Sequence, residues 1–198
     1  MRYKIGIILL IVTIWSCNLD RNKNNKIKIS KRDRILTIKD SIGFISLPYI
    51  AEFNPTNKST YRITGVDSIF RKDFSRLGDV YLVGFLPDTT KYYCILFTGV
   101  AAVGNPGLIT FDKKGNKISS ELITEENCLI YVGDILFCKE YSLINPDMTL
   151  EYEYRSIVVQ EKSDLTSDTI YTHLKRFGEI NEQGKIILGK IDTLNYAD

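Results

Sequence analysis

The side chains able to carry chemistry are few and scattered. One histidine, His173, and four cysteines, Cys17, Cys94, Cys128 and Cys138, occur in 198 residues. No two cysteines have C-x-x-C spacing and one imidazole cannot build a multi-histidine zinc centre, so no metal or cofactor is expected. A serine hydrolase of the G-x-S-x-G kind is excluded, because that elbow is absent. Paired carboxylates do occur, at Glu125-Glu126 and at Glu151/Glu153. On a strand the second pair shares a face about 7 Å apart, a separation a glycosidase uses. Arg155 falls on that face as a charge partner, and His173, on a face with Tyr171 and Lys175, reads as a surface histidine. These residues predict a protein that is not an enzyme, with a hydrolase on the paired glutamates as the alternative.

The segment Gly99 to Gly107, G-V-A-A-V-G-N-P-G, is too rich in small and apolar residues for an ordinary hairpin turn. Its residues Gly99, Gly104, Asn105 and Gly107 mark either a loop whose backbone approaches a ligand closely or a tucked loop sealing the end of a sheet. Gly99 and Gly104 have the outer spacing of a phosphate-binding loop. Asn105-Pro106, however, stands where lysine and a hydroxyl residue would grip phosphate and magnesium, and nucleotide binding is rejected.

At the other end of the chain, Arg2 and Lys4 precede an uncharged run from Ile5 to Ile14, followed by Trp15, Ser16 and Cys17. This is the charged and apolar arrangement of an export signal, and the apolar run is too short to span a bilayer comfortably. The residues Ile14-Trp15-Ser16-Cys17 resemble the lipobox of bacterial lipoproteins. That resemblance implies a diacylglyceryl thioether on Cys17, cleavage after Ser16, and acylation of the new amino group with a fatty chain such as palmitate. Asn18 rather than aspartate follows the cysteine, so the resemblance implies no inner-membrane retention and an address at the outer membrane.

Residues 1-16 are thus expected to be a lipoprotein signal peptide, 17-33 the lipidated cysteine and a polar basic tether, and 34-198 a single β-rich domain. From Asn18 to Arg34 the chain holds seven basic residues against two acidic ones, whereas from Ile35 onward 17 basic groups face 22 acidic ones. The tether reads first as a solvated spacer and second as a contact for anionic head groups. Export removes nucleic acid from the partners this basic stretch would suit.

In an oxidising envelope compartment the three remaining cysteines either bridge or stay buried as small hydrophobes. Cys128 and Cys138 lie symmetrically about Gly133, so a hairpin turning at Val132-Gly133-Asp134 would put them opposite each other as a candidate disulfide. Cys94, between Tyr93 and Ile95, reads as an inert core thiol.

The elements that must position these groups are short apolar runs separated by turn signals. Strands are predicted over Arg34 to Ile38, Tyr61 to Gly65, Val80 to Leu86, Tyr92 to Thr98, Leu108 to Phe111, Lys117 to Ile123, Ile135 to Leu143, Thr149 to Val159, Ile170 to Phe177 and Lys185 to Leu188. Turns at Pro87 to Thr90, Asp112 to Asn116, Asn145 to Asp147 and Asn181 to Gly184 favour consecutive antiparallel pairing. Tyr92 to Thr98 is apolar on both faces, so each face must be covered. The predicted cover is a helix over Ser68 to Leu77, with Phe70, Phe74 and Leu77 on one side. Thr149 to Val159 alternates instead, as in a sheet wetted on one face. The fold class expected is all-β, an antiparallel meander forming a curled sheet or partly closed barrel with one short helix.

The resulting expectation is a lipid-tethered, non-catalytic binding or accessory module of the cell envelope, recognising a protein or glycan through a sheet edge or the Gly99 to Gly107 loop. An immunity protein against an exported toxin is a specific version, since an acidic domain suits a basic partner.

Overall fold

The central strand is apolar on both sides, and that single property organises the layers. The structure is a computed structural model that describes residues 29–52, 61–62, 80–88, 90–99, 104–125, 127–129, 134–161 and 166–196. Its strands are β1 (Tyr49–Glu52), β2 (Tyr61–Arg62), β3 (Val80–Phe85), β4 (Tyr93–Gly99), β5 (Pro106–Phe111), β6 (Lys117–Leu122), β7 (Asp134–Ile144), β8 (Thr149–Glu161), β9 (Ser167–Ile180), β10 (Ile186–Leu188) and β11 (Asp192–Tyr196). A helix α1 (Lys31–Ile42) precedes them, and a 3-10 turn spans Asn127–Leu129.

The all-β expectation holds, but the strands form two sheets rather than one curled sheet or barrel. One has five strands in the order β2-β3-β4-β5-β6, and the other the order β1-β7-β8-β9-β10, with β11 also on β9. Every pairing between these strands is antiparallel. Each sheet is largely a meander of neighbours in sequence. β1 breaks the pattern, leaving its sequence neighbours to pair with β7. Strands β10 and β11 lie along the same edge of β9, meeting Gly178–Ile180 and Tyr171–Lys175 in turn.

β4 is buried along its whole length. Tyr93, Ile95 and Phe97 join Ile35 and Ile38 of α1 in one core, with Val80, Leu82, Phe85, Ile109 and Phe111. From its other face, Cys94 and Leu96 join Leu108, Ile144, Leu150, Ile180 and Ile186 in a second core between the sheets. The five-stranded sheet is therefore the middle of three layers.

The cover for β4 comes from α1, where sequence reading placed a strand over Arg34 to Ile38; the helix expected over Ser68 to Leu77 lies outside the described residues. The run I-L-T-I has β-branched residues that suit a strand, and tertiary packing overrides so weak a preference. Ile35, Ile38 and Ile42 recur at helical spacing and turn toward the first core. Ser30 caps the helix, its Oγ accepting from Asp33 N at 3.1 Å, and Gly43 closes it at φ 70°. The helix thus begins inside the stretch read as tether. Among the described residues no helix is long and apolar enough to cross a membrane.

Three of the predicted turns lie wholly within the described residues and the fourth, Pro87 to Thr90, does so except for Thr89; an acceptor side chain organises each. Asp112 Oδ1 accepts from Lys114 N and Asn116 N, both at 2.8 Å, and Asn181 Oδ1 accepts from Gln183 N and Lys185 N at 3.0 and 2.9 Å. Asp88 Oδ1 accepts from Thr90 N, and Asp147 Oδ1 from Thr149 N. These are side chains closing the turn on their own backbone. Gly115 and Gly184 supply the positive φ that two of the turns require, at 88° and 80°.

Candidate functional site

The strongest concentration of polar chemistry lies on the outward face of the six-stranded sheet. β8 alternates as predicted, with Leu150, Tyr152, Tyr154, Ser156 and Val158 inward and Glu151, Glu153, Arg155 and Ile157 outward. Cross-strand register puts Tyr141 of β7 beside Glu153, and His173 of β9 beside Arg155. Glu153 collects all three neighbours: Oε2 accepts from the Tyr141 hydroxyl, and Oε1 from Arg155 Nε at 2.8 Å and Nη2 at 2.5 Å. His173 Nε2 lies 2.8 Å from the same Oε1.

Burial raises the Glu153 pKa, but the hydrogen bonds from Tyr141, Arg155 and His173 together outweigh it and hold the carboxyl at about 2. Tyr141 is shifted up, chiefly because its hydroxyl donates to that carboxylate. A carboxylate so saturated is a poor base and carries no proton to give at neutral pH. Its expected partner Glu151 is engaged elsewhere, accepting from Asn145 Nδ2 at 2.8 Å. Sequence reading anticipated Arg155 as the charge partner and the outward placement of His173. It missed Tyr141, and it did not bring the histidine to Glu153.

Around this polar centre the face carries exposed apolar side chains: Ile50, Phe137, Tyr171, Phe177, Ile187 and Leu194, with Phe177 59% accessible. The register places each on the outward side, Ile50 through Leu143 to Glu151, Phe177 directly against Glu151, and Phe137 and Tyr171 on either side of Ile157.

A second polar group lies on the inward face near the sheet rim. Buried Glu140 accepts from Glu125 N at 2.6 Å, Cys128 N at 3.2 Å and the Tyr152 hydroxyl at 3.1 Å. Asn127 Nδ2 donates to the same Tyr152 hydroxyl at 2.9 Å, while Arg176 Nη1 donates to Glu125 Oε1. Burial raises the Tyr152 pKa well above the ordinary phenol range. Glu140 and Arg176 escaped sequence reading because each replaces an apolar residue at an inward position. Nothing in strand alternation marks such an exchange. Glu126, the other half of the first predicted carboxylate pair, lies outside the described residues.

Cys128 and Cys138 form a disulfide, with Cα atoms 5.8 Å apart. Of the two alternatives the bridge is the one present, without the hairpin geometry expected for it: Cys128 sits in the 3-10 turn rather than on a strand facing β7. Cys94 is a buried free thiol, which burial pushes far above its ordinary pKa.

The Gly99 to Gly107 segment divides. Residues 100–103 lie outside the described residues. Asn105 is buried, its carbonyl accepting from Gly99 N at 3.0 Å and its Oδ1 from Thr124 Oγ1 at 3.5 Å. Gly107 belongs to β5, paired with Phe97 of β4, where any Cβ would overlap the phenyl ring. Asn105 and Gly107 thus lie at the packed end of the five-stranded sheet, as in the alternative of a tucked loop sealing the sheet. Gly104 is half-buried beside them. Among the described residues, no three His, Cys, Asp or Glu side chains converge to hold a metal ion.

No protein-family model matches the chain, nor does any curated protein or solved structure.

Proposed function

We propose that the chain is a bacterial envelope lipoprotein, anchored through lipid on Cys17 at the outer membrane, whose folded domain is a non-catalytic binding or accessory module for a protein or glycan. The observation that carries the binding role is the outward face of the six-stranded sheet. It combines exposed aromatic and aliphatic residues with a preorganised Tyr141–Glu153–Arg155–His173 centre. Tyrosine, phenylalanine and arginine are the side chains that recognition surfaces favour, and contiguous apolar exposure is uncommon on a face with no partner. This face replaces the Gly99 to Gly107 loop as the favoured binding surface. A hydrolase on paired glutamates is less well supported, since Glu153 lacks the proton a general acid must supply.

The twelve residues from Asn18 to Ile29 separate the lipidation site from Ser30, the cap of α1. Fully extended they reach at most about 40 Å, enough to hold the domain clear of head groups while keeping it at the surface.

Two measurements test this reading. Fatty-acid labelling of cells should mark the wild-type protein and not Cys17→Ala; equal labelling overturns the anchor. Chemical cross-linking of wild type, Phe177→Glu and Tyr171→Glu in intact envelopes should give a partner adduct that both variants lose. An adduct retained by both removes the sheet face from the binding role.

A further inference from the structure

The buried group around Glu140 is held together from outside the sheet by one short segment. Glu125 and Asn127–Leu129 supply two backbone N–H groups to Glu140, the Asn127 amide to Tyr152, and the Glu125 carboxylate to Arg176. The segment is tied covalently to β7 by the Cys128–Cys138 bond. Both cysteines are half-buried, whereas Cys94 is fully buried.

What lies beneath is a buried group of charged and polar side chains. Arg176, 8% accessible, pairs with Glu125 through Nη1 and stacks 5.2 Å from the ring of Tyr152, whose hydroxyl donates to Glu140; its Nε and Nη2 are buried and meet no acceptor among the described residues. Burying charged groups is costly, and opening the segment would hydrate them. The covalent tie joins the segment that donates to Glu140 to the strand that carries Glu140.

We propose that the Cys128–Cys138 bond is a redox latch whose reduction by a dithiol frees the 3-10 turn and opens the Glu140–Tyr152–Arg176 group to solvent. A thiolate of the dithiol attacks one sulfur, giving a mixed disulfide and releasing the other cysteine as a thiol after proton uptake. The second thiol of the reductant then displaces the remaining cysteine. Two electrons pass to the protein, which gains two thiols, and the reductant leaves as a cyclic disulfide. The open state presents a carboxylate, a phenol and a guanidinium edge that the oxidised form conceals.

Amide exchange followed by nuclear magnetic resonance on the full chain, before and after dithiothreitol, tests the latch. Thiol counting should report both cysteines reduced without denaturant. The Glu125 and Cys128 amides should then exchange at least about tenfold faster, those of β4 and β5 should not change, and reoxidation should restore protection. Failure of the bond to reduce in the folded protein overturns the proposal. So does unchanged exchange at Glu125 and Cys128, or a loss of protection that spreads through β4 and β5, which would mark the bond as a staple for the whole fold. A folded Cys128→Ser/Cys138→Ser variant should exchange like the reduced wild type; one with oxidised-form protection also overturns the latch. If that variant does not fold, the reduced wild type decides alone.

Discussion

His173 and Glu153, twenty positions apart, meet at 2.8 Å across β8 and β9 because Arg155 pairs with His173 and Glu153 with Lys175. The contact is therefore diagonal, and the arginine directly opposite the histidine turns to the same carboxylate oxygen. Three donors from three strands are thereby fixed on one acidic side chain. The result is a hydrogen-bonded polar centre among exposed apolar side chains.

Glu153→Gln should lower stability at neutral pH by about 1–3 kcal/mol, because a neutral amide weakens the charge-assisted bonds and cannot accept them all. The carboxyl sits at about 2 in the fold against an ordinary 4.5. Its lowered value adds stability that is complete above about pH 4.5 and disappears as pH falls through about 2. Thermal melts of wild type and variant should therefore stay a constant distance apart above pH 5 and converge toward pH 2. A gap that widens with acid would contradict this assignment.

The helix α1 is the cover of the five-stranded sheet, so its core contacts should matter more than its cap. Ile35→Ala should cost about 2–4 kcal/mol and Ser30→Ala about 1 kcal/mol in denaturant titrations. Equal, small losses would mean that α1 does not seal the Phe97 side of β4.

Packing at β5 leaves no room for added atoms. Gly107→Ala should destabilise by about 1–3 kcal/mol, since the new methyl meets the Phe97 ring within two paired strands. The hydroxyl of nearby Thr110 donates to the Gly184 carbonyl at 2.6 Å, joining the β9–β10 turn to the middle layer. Thr110→Val should cost about 1–2 kcal/mol by leaving that carbonyl unpaired. Calorimetry of both variants checks the two values.

Native protein should leave Cys94 unmodified by maleimide at pH 8, with labelling only after unfolding. Burial both blocks access and disfavours the thiolate that would react. Peptide mass spectrometry locates the label, and rapid modification of Cys94 in the folded state would be inconsistent with its place between the sheets.

The amino-acid sequence by itself determined most of the strands from β3 to β10, the turns between them and the two-sided burial of β4, because these follow from local patterns: alternation, acceptor side chains at turns, and an unbroken apolar run; β1 and β11 were not read from it. Spacing made Cys128 and Cys138 a candidate pair and left buried thiols as the alternative; the structure shows the bond, with Cys128 in a 3-10 turn rather than the hairpin expected. The start of α1 left a mark in Ser30-x-x-Asp33, and the β-branched run after it pointed the other way. Only tertiary structure decided which element covers β4, how the strands divide into two sheets, and that Glu140 and Arg176 turn inward. The division depends on β1 reaching β7, a pairing some ninety residues distant that no local preference encodes. An inward charge is tolerated only because partners remote in sequence, Tyr152 for Glu140 and Glu125 for Arg176, arrive to satisfy it once the layers have closed.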